Sequence, residues 1–284
     1  MTTRSGNSGQ TVEPVNSLSP FIQPENFPVR IYTLGRVGLV VDGFSVVFSG
    51  KTQKRPLSLL YFLIAQGGRN VAVTKLYRAL WDAPETATPP RGSLDTTIYR
   101  LRRLLRHSNA IRLGTGGVSL DAQICWVDVW TFERRLGESI QSDDPLTMAD
   151  RIEQALTLYQ GEFLADMAAD MHLGDSNNAW ALAARERLRT RLLRLVQIVA
   201  DKLAAENQWD RLADIYLQLH ERYPLDEMVC RQLLRTYIER QEASQAIALF
   251  KRCRQLLVNG LHSLPSPATL ALLKRLPGID LDLI

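Results

Sequence analysis

The first half of the chain alternates between short β-branched stretches and longer segments in which apolar residues have helical spacing. Residues 29–49 predict three short antiparallel strands, because two β-branched runs are followed by an Asp42-Gly43 turn and a return run from Phe44. Residues 51–106 predict three helices, and residues 110–120 predict a hairpin around a glycine-rich turn. This part of the chain therefore predicts a small α+β domain.

The third of these helices has the most distinctive pattern. Leu94, Ile98, Leu101 and Leu105 are spaced four, three and four residues apart and form one apolar stripe. The rest of the surface is polar and basic and carries Thr96, Thr97, Tyr99, Arg100, Arg103 and Arg106. Like charges at this spacing repel one another unless an anion neutralises them. The helix therefore favours a polyanionic partner, and the alternative is a solvated cationic face.

From about residue 146 to residue 276 the apolar pattern is helical throughout, and it repeats. Three apolar residues recur 34 residues later: Trp209, Ala213 and Tyr216 correspond to Ala243, Ile247 and Phe250. Thirty-four residues is the tetratricopeptide period, in which pairs of antiparallel helices stack on one another. Gln208 and Glu242 stand where a glycine is expected between the paired helices, so a plain helical bundle remains the alternative.

Charge separates the two parts of the chain. The 284 residues carry a net charge of +4, and their number predicts about two domains. Residues 1–135 hold 17 Lys and Arg against 9 Asp and Glu, and residues 136–284 hold 17 against 21, so the halves carry +8 and −4. This asymmetry is typical of a nucleic-acid-binding module joined to a different module, although a chance fluctuation in charge gives the same numbers.

Composition argues against several other classes of protein. There is no run of about 18 apolar residues to span a membrane, and Met1–Gln10 lacks the apolar region of a secretory signal. The three cysteines contain no CxxC pair, so we expect reduced thiols in a cytoplasm. The four histidines are far apart, and none has the spacing of a metal site or a catalytic triad. We therefore expect no cofactor, no metal and no catalysis.

Basic residues outside the third helix predict contacts with a phosphate backbone. Lys51 and Lys54 lie at the predicted start of the first helix, where the helix N-terminus already favours anions. Arg91 and Arg112 flank the third helix and would neutralise phosphates and set the register. At the tip of the hairpin, Thr115 and Gly116, with Arg112 on the strand, would reach the minor groove.

Two sets of motifs carry a resemblance to known families. Through Leu94–Leu105, the Gly-Thr-Gly-Gly run and Asp128–Glu133, residues 29–136 resemble the OmpR-type winged-helix DNA-binding domain. Residues 146–276 resemble the bacterial transcriptional activator domain through three further motifs, which are Leu158–Leu164, Tyr223–Glu227 and Leu264–Thr269. Two such domains in this order are similar to the SARP-like class of activators.

The resemblance implies a fold, an activity and a set of site residues. The fold is an α+β winged helix, with an N-terminal antiparallel sheet, three helices and a wing hairpin, followed by an all-α tetratricopeptide-like domain. Apart from the resemblance, four prolines, four serines and little periodicity in residues 1–28 predict a flexible arm. The activity is sequence-specific activation of transcription at direct repeats in double-stranded DNA, with recruitment of RNA polymerase and a homodimer at least on DNA. The base-reading positions fall on Thr96, Thr97 and Arg100, and the phosphate-facing positions fall on Arg102, Arg103 and neighbouring basic residues such as Arg106.

A different class of function stays open beside this one. Stacked helical repeats offer concave surfaces for protein partners, so the chain is also compatible with an interaction adaptor or regulatory subunit that has only non-specific affinity for nucleic acid. A salt titration of DNA binding separates the two, because neutralised phosphates give a defined log–log slope.

Overall fold

The structure, a computed structural model, describes residues 23–47, 54–81, 91–167 and 179–275. Most of the predicted N-terminal arm lies outside these ranges, and so does Lys51. Within them, an N-terminal part with two small sheets precedes a C-terminal part that consists almost entirely of helices. The coarse organisation expected from the sequence is therefore confirmed.

The first sheet contains the three predicted strands and one that was not predicted. Strands β1 (Val29–Tyr32), β2 (Gly38–Val41) and β3 (Phe44–Ser45) are antiparallel, and Asp42 and Gly43 both have the positive φ that a tight hairpin turn requires. The short strand Cys125–Val127, β7 in chain order, pairs in parallel with β1 on its other side. Three residues are too few to show a period, so the sequence does not reveal this strand.

The predicted three helices and hairpin follow this sheet. The helices are α1 (Lys54–Ala65), α2 (Val73–Trp81) and α3 (Arg91–Leu105), and the hairpin is formed by β5 (Ile111–Gly114) and β6 (Gly117–Leu120). A two-residue strand, β4 (Val71–Ala72), pairs with β6 to complete a second sheet of order β4-β6-β5. Helix α3 begins at Arg91, so Ser93 lies inside its first turn.

The remaining helices form the C-terminal part. They are α4 (Asp128–Ser139), α5 (Pro145–Leu158), α6 (Ala179–Ala205), α7 (Trp209–Arg222), α8 (Glu227–Glu239), α9 (Ala243–Leu261) and α10 (Pro267–Leu273). Helices α7 and α9 begin 34 residues apart, and α6 and α8 end 34 residues apart, in agreement with the period in the sequence. Asn207 and Gln241, with φ of 58° and 62°, take the left-handed turn positions that glycine usually occupies. The positions of the missing glycines are thus Asn207 and Gln241, each one residue before the position that the sequence indicated, Gln208 and Glu242.

The two parts share one core. Buried side chains from the sheets, from α1 to α3 and from α4 to α9 form a single contiguous apolar cluster. Helix α4 packs on α5, so a domain boundary at residue 136 cuts through α4. Its first residue, Asp128, is buried and accepts hydrogen bonds from the Thr33 backbone (2.6 Å), the Thr33 hydroxyl (2.6 Å) and the Leu34 backbone (2.9 Å). These bonds attach the start of the helical part to the end of β1.

A second set of contacts, which we call the junction, joins β1 to the segment after α5. Leu34 and Phe163 form an isolated antiparallel bridge, and the Leu164 backbone N–H donates to the Thr33 carbonyl at 2.7 Å. Gly35 lies against Gly161, and the Gly35 backbone N–H donates to the Glu162 carbonyl at 3.0 Å. The motif Leu158–Leu164, which carried part of the family resemblance, therefore has the structural role of docking the two parts.

The end of α1 is also held by the helical part. Helix ends leave their last carbonyls without partners in the helix. Trp130 on α4 donates its indole N–H to the Ile64 carbonyl (3.1 Å), and Arg187 on α6 donates to the Ala65 carbonyl (3.0 Å). Because α1 packs against α3, these two bonds fix the orientation of α3 relative to the helical part.

Candidate nucleic-acid interface

Helix α3 is anchored in the core by the predicted apolar stripe. Leu94, Ile98, Leu101 and Leu105 are all buried, with no more than 5% of any of these residues exposed. Spacings of three and four residues keep them on one side of the helix, against α1. The opposite side of α3 is consequently turned outward, and its orientation is fixed by the packing of the stripe.

The outward side of α3 presents a row of polar and basic side chains. Thr96, Arg100 and Arg103 are exposed and follow one another at intervals of four and three residues, so they lie on one face of the helix. Tyr99, 61% exposed, lies beside them. Among the described residues, neither Arg100 nor Arg103 has an acidic partner within ion-pair distance. We call Thr96, Tyr99, Arg100 and Arg103 the reading face.

Thr97 does not belong to the reading face, which corrects the sequence prediction that it reads bases. Its exposed fraction is 5%, and its hydroxyl donates to the Ser93 carbonyl at 2.7 Å. Thr96 and Thr97 are about 100° apart around the helix axis, so only one of two adjacent threonines can point outward here. Two adjacent threonines in the sequence did not show which of them would be exposed.

Arg102 also departs from its predicted role as a phosphate contact. It is only partly exposed, and its guanidinium donates two hydrogen bonds to the Ile111 carbonyl, from Nε at 3.3 Å and from Nη2 at 2.7 Å. These bonds tie α3 to the first strand of the hairpin. Arg102 thus positions the hairpin against the helix, while Arg103, one residue later, faces outward.

The C-terminal end of α3 brings more positive charge to the same side of the molecule. Arg106 is exposed and adopts a positive φ of 56°, which ends the helix at Leu105. The neighbouring His107 contacts Asp42 in the first hairpin turn at 2.8 Å, so the helix end is connected to the N-terminal sheet. Arg106 has no ion-pair partner among the residues that the structure describes.

The hairpin, β5 and β6, projects beside α3 with an exposed tip. Thr115 and Gly116 are both exposed, and Gly116 has a φ of 82° that the turn requires. Arg112 on β5 is ion-paired with the buried Asp121 at the base of the hairpin, although most of its side chain remains exposed. The Arg112 guanidinium therefore has an ion-pair partner within the protein.

The other predicted phosphate contacts are distributed around the first helix and the start of α3. Lys54 is exposed in the first turn of α1, and the adjacent Arg55 stacks over the ring of Trp81 at 5.4 Å. Arg91 is the first residue of α3. Lys51 lies outside the described residues, so its role as a phosphate contact stays a prediction.

Two contributions to the interface were not assigned from the sequence. Tyr99 had been recognised on the polar surface but not as a member of the site, and the helical spacing from Thr96 and Arg103 was the signal that would have included it. The contacts that Trp130 and Arg187 make with α1 were not visible at all, because they join residues 66 and 122 positions apart.

Three further features concern the described part of the chain. No group of three or more His, Cys, Asp or Glu residues there could hold a metal ion. The described helices include none that is long and apolar enough to cross a bilayer. Burial raises the pKa of the Cys125 thiol to about 12, so this thiol stays protonated at neutral pH.

Comparison with known proteins shows similarity to a protein family, to a curated relative and to a solved structure. The family model of the bacterial transcriptional activator domain matches residues 127–276, beginning 19 residues before the predicted start of the second domain. Regulatory protein DnrI from Streptomyces peucetius is 27% identical over 254 residues, which cover 80% of this chain and 86% of DnrI. The match to DnrI therefore extends across both parts of the fold.

One structural neighbour is EmbR from Mycobacterium tuberculosis, solved in complex with a low-affinity phosphopeptide. It superimposes with a TM-score of 0.58 at 20% identity, over 88% of this chain and 65% of the EmbR chain. This chain thus spans somewhat less than two thirds of the neighbour, and the likeness concerns the fold. Because the family match covers more than half of the chain, the chain belongs to the bacterial transcriptional activator domain family, as a SARP-like transcriptional activator.

Proposed function

We propose that this protein binds specific DNA sequences through α3 and activates transcription from the promoters beside them. The observation that carries the proposal is the reading face: Thr96, Arg100 and Arg103 are exposed in one row on a helix whose other side is anchored in the core. An exposed helix of this kind fits the width of the B-DNA major groove.

The chemistry of the reading face suits base edges. An arginine fork bonds guanine O6 and N7 together, and a threonine offers a hydroxyl to a base and a methyl group to thymine. Arg100 and Arg103 are available for such bonds, since no described acidic residue engages them, and Thr96 is exposed beside them. Thr97 is excluded from this role by its burial.

Phosphate contacts would surround the reading face. We assign them to Lys54 at the start of α1, to Arg91 and Arg106 at the two ends of α3, and to Lys51. Arg103 reaches either a base or a phosphate, depending on the depth of insertion. The hairpin tip, Thr115 and Gly116, would enter the adjacent minor groove. The Arg112 guanidinium would bond both to Asp121 and to a phosphate of the DNA backbone.

The helical part would serve protein contacts. Residues 136–284 hold 21 of the 30 Asp and Glu residues and have a net charge of −4. This negative charge would keep the helical part away from the DNA backbone. Its stacked helices, related by the 34-residue period, provide the kind of concave surface that binds proteins. We propose that it contacts RNA polymerase and supports a homodimer on DNA, with the two copies on direct repeats, in the cytoplasm.

Direct measurement of DNA binding tests the proposal. Fluorescence anisotropy with a labelled duplex, repeated at several salt concentrations, should give a log–log slope near −0.9 for each phosphate neutralised. Competition with unrelated duplexes separates specific from non-specific binding. A protein that acts only as an adaptor gives the same weak affinity for every duplex, and that result would exclude the proposal in favour of the adaptor.

A transcription assay tests the activating role separately. A template that carries the bound sequence upstream of a promoter should give more transcript when the full chain is added to purified RNA polymerase. A variant with Arg100→Ala should lose this stimulation together with DNA binding. Binding without stimulation would leave a DNA-binding protein that represses or marks its sites.

A further inference from the structure

A cavity of about 600 Å³ lies between the outer face of the first sheet and the end of α5. The sheet contributes Tyr32, Val40 and Trp126, the loop after β1 contributes Arg36, and the helical part contributes Leu158 and Gln160. Small-molecule sites in proteins typically have volumes of about 300–1,000 Å³ and are lined mainly by apolar and aromatic side chains. The cavity has this size and this kind of lining.

Two aromatic rings form one wall of the cavity. The rings of Tyr32 and Trp126 lie 5.4 Å apart between centroids and are inclined by 60°, and the two residues are on adjacent strands β1 and β7. Their faces, together with Val40 and Leu158, make an apolar surface that suits a flat ring.

Hydrogen-bond donors around this wall lack acceptors. Trp126 is 4% exposed, and its indole N–H is buried without any hydrogen-bond partner in the described part of the chain. Arg30, which is opposite Trp126 in the strand register, likewise has a buried Nε without a described acceptor. The exposed guanidinium of Arg36 has no ion pair with any described residue. Buried donors are almost always paired in folded proteins, so this arrangement indicates an acceptor beyond the residues that the structure describes.

Asp128 is the one described carboxylate in the cavity lining, and it cannot be that acceptor. Its oxygens already accept hydrogen bonds from Thr33, Leu34 and the Val129 backbone at 2.6 to 2.9 Å. Burial raises the pKa of this carboxyl group, and the hydrogen bonds from Thr33 and Leu34 oppose the shift. The described lining holds no other carboxylate, which leaves the position of the acceptor open to a bound molecule.

We propose that the cavity binds a small planar carboxylic acid. The ring of the ligand lies against Tyr32 and Trp126, its carboxylate pairs with Arg36, and the indole N–H provides a further donor. This site goes beyond the proposed DNA-binding function and does not depend on it.

The position of the cavity gives the ligand a route to regulation. Leu34 and Gln160 line the cavity, and each immediately precedes one of the two junction glycines, Gly35 and Gly161. A ligand there contacts both parts of the protein at once. Because it contacts both parts in this arrangement, it stabilises the orientation of the sheet relative to the helical part.

The test uses the full chain, without DNA, and 2-naphthoate as the probe, with binding followed by calorimetry and by tryptophan fluorescence. We expect saturable binding to one site with a Kd below about 1 mM, which is the weak end of specific binding. The uncharged analogue 2-naphthamide should bind roughly tenfold more weakly, because it loses the charge-assisted hydrogen bond to Arg36.

Two variants and one control locate the site. Arg36→Gln and Trp126→Phe should each weaken naphthoate binding roughly tenfold, whereas Arg194→Gln, which removes an exposed arginine on α6, should leave it unchanged. Arg36 is at the surface, so its variant is expected to fold even if Trp126→Phe does not. Equal binding of naphthoate by the Arg36→Gln protein and the parent, or no binding at about 1 mM, overturns the proposal.

Discussion

Gly35 and Gly161 are in contact through their backbones: a Cβ atom on Gly161 would lie 2.9 Å from the Cα of Gly35, and a Cβ atom on Gly35 would lie 2.7 Å from the Gln160 carbonyl carbon. Real Cβ atoms do not approach other heavy atoms so closely, so neither residue can be replaced without a shift of the backbone. The contact brings the loop after β1 against the segment that follows α5. It is therefore a point at which the N-terminal part and the helical part are fixed to each other.

Replacing these glycines should destabilise the protein through the contact itself. Gly35 and Gly43 have similar backbone conformations, with φ of 79° and 85°, but a Cβ on Gly43 would meet no atom within 4 Å. Gly43→Ala should therefore cost only the backbone strain of about 1–2 kcal/mol, and Gly35→Ala should cost about 1–3 kcal/mol more from overpacking. Urea unfolding of the two variants measures the difference. Equal free energies of unfolding would show that the junction relaxes without cost.

The sequence predicts the elements of this fold better than it predicts their connections. Helices α1 to α3, the hairpin and the 34-residue helical period follow from apolar spacing, because each is a regular pattern within a continuous segment. Strand β7 and the Leu34–Phe163 bridge do not follow, because short segments pair with residues far away in the chain. The predicted boundary at residue 136 does not reveal that α4 contacts both parts, since Asp128 at its start bonds the Thr33 backbone while the helix packs on α5.

Thr96 and Thr97 should differ in their effect on DNA recognition. Thr97→Val removes a buried hydroxyl that bonds the Ser93 carbonyl, and it should reduce stability by about 1 kcal/mol while leaving the preferred DNA sequence unchanged. Thr96→Val removes an exposed hydroxyl from the reading face and should alter base preference at one position. Binding to a set of single-base variants of the site measures both. A change of preference with Thr97→Val alone would reverse the assignment.

Arg100 should contribute to specificity, whereas Lys54 should contribute to general affinity. Arg100→Ala should cost about 1–3 kcal/mol on the preferred site and relax the choice of base at one position. Lys54→Ala should weaken binding to all sequences alike and reduce the salt slope by about one phosphate. Anisotropy titrations on specific and random duplexes provide the comparison, with Arg194→Ala on α6 as a charge-matched control. If Arg100→Ala and Lys54→Ala behave identically, α3 contacts only the backbone.

The candidate site was partly accessible from the sequence. The stripe of Leu94, Ile98, Leu101 and Leu105 fixes which side of α3 is buried, and from it Arg100 and Arg103 could be assigned to the outside. The stripe could not show that Arg102 reaches the Ile111 carbonyl, because that bond depends on how closely the hairpin packs against the helix. Thr97 lies at the edge of the apolar stripe, and the spacing of apolar residues does not predict whether a residue at that edge is buried or exposed.

His220 should make the stability of the helical part depend on pH. Burial and the positive charge of Arg252 lower the pKa of this histidine, Glu221 opposes the shift, and neither ring nitrogen has a hydrogen-bond partner in the described residues. The fold favours the neutral ring, so its stabilising contribution is present above the unfolded pKa of about 6.5 and is lost as the pH falls through the lower folded value.

The variant His220→Phe tests this directly. Its free energy of unfolding should change less between pH 7 and pH 5 than that of the parent, because no buried ring has to be charged. His262→Asn, which replaces an exposed histidine, should retain the dependence of the parent. Parallel pH profiles for the parent and His220→Phe would mean that His220 becomes charged without cost.

We propose that the reading face of α3 selects a DNA sequence, and selection of bound duplexes from a random library tests this most directly. The full chain and its Arg100→Ala variant are each used to enrich duplexes at the same salt concentration. We expect the parent to enrich one motif, present as two copies in the same orientation, and the variant to lose the preference at one position in each copy. No enriched motif with the parent, or the same motif with both proteins, would contradict it.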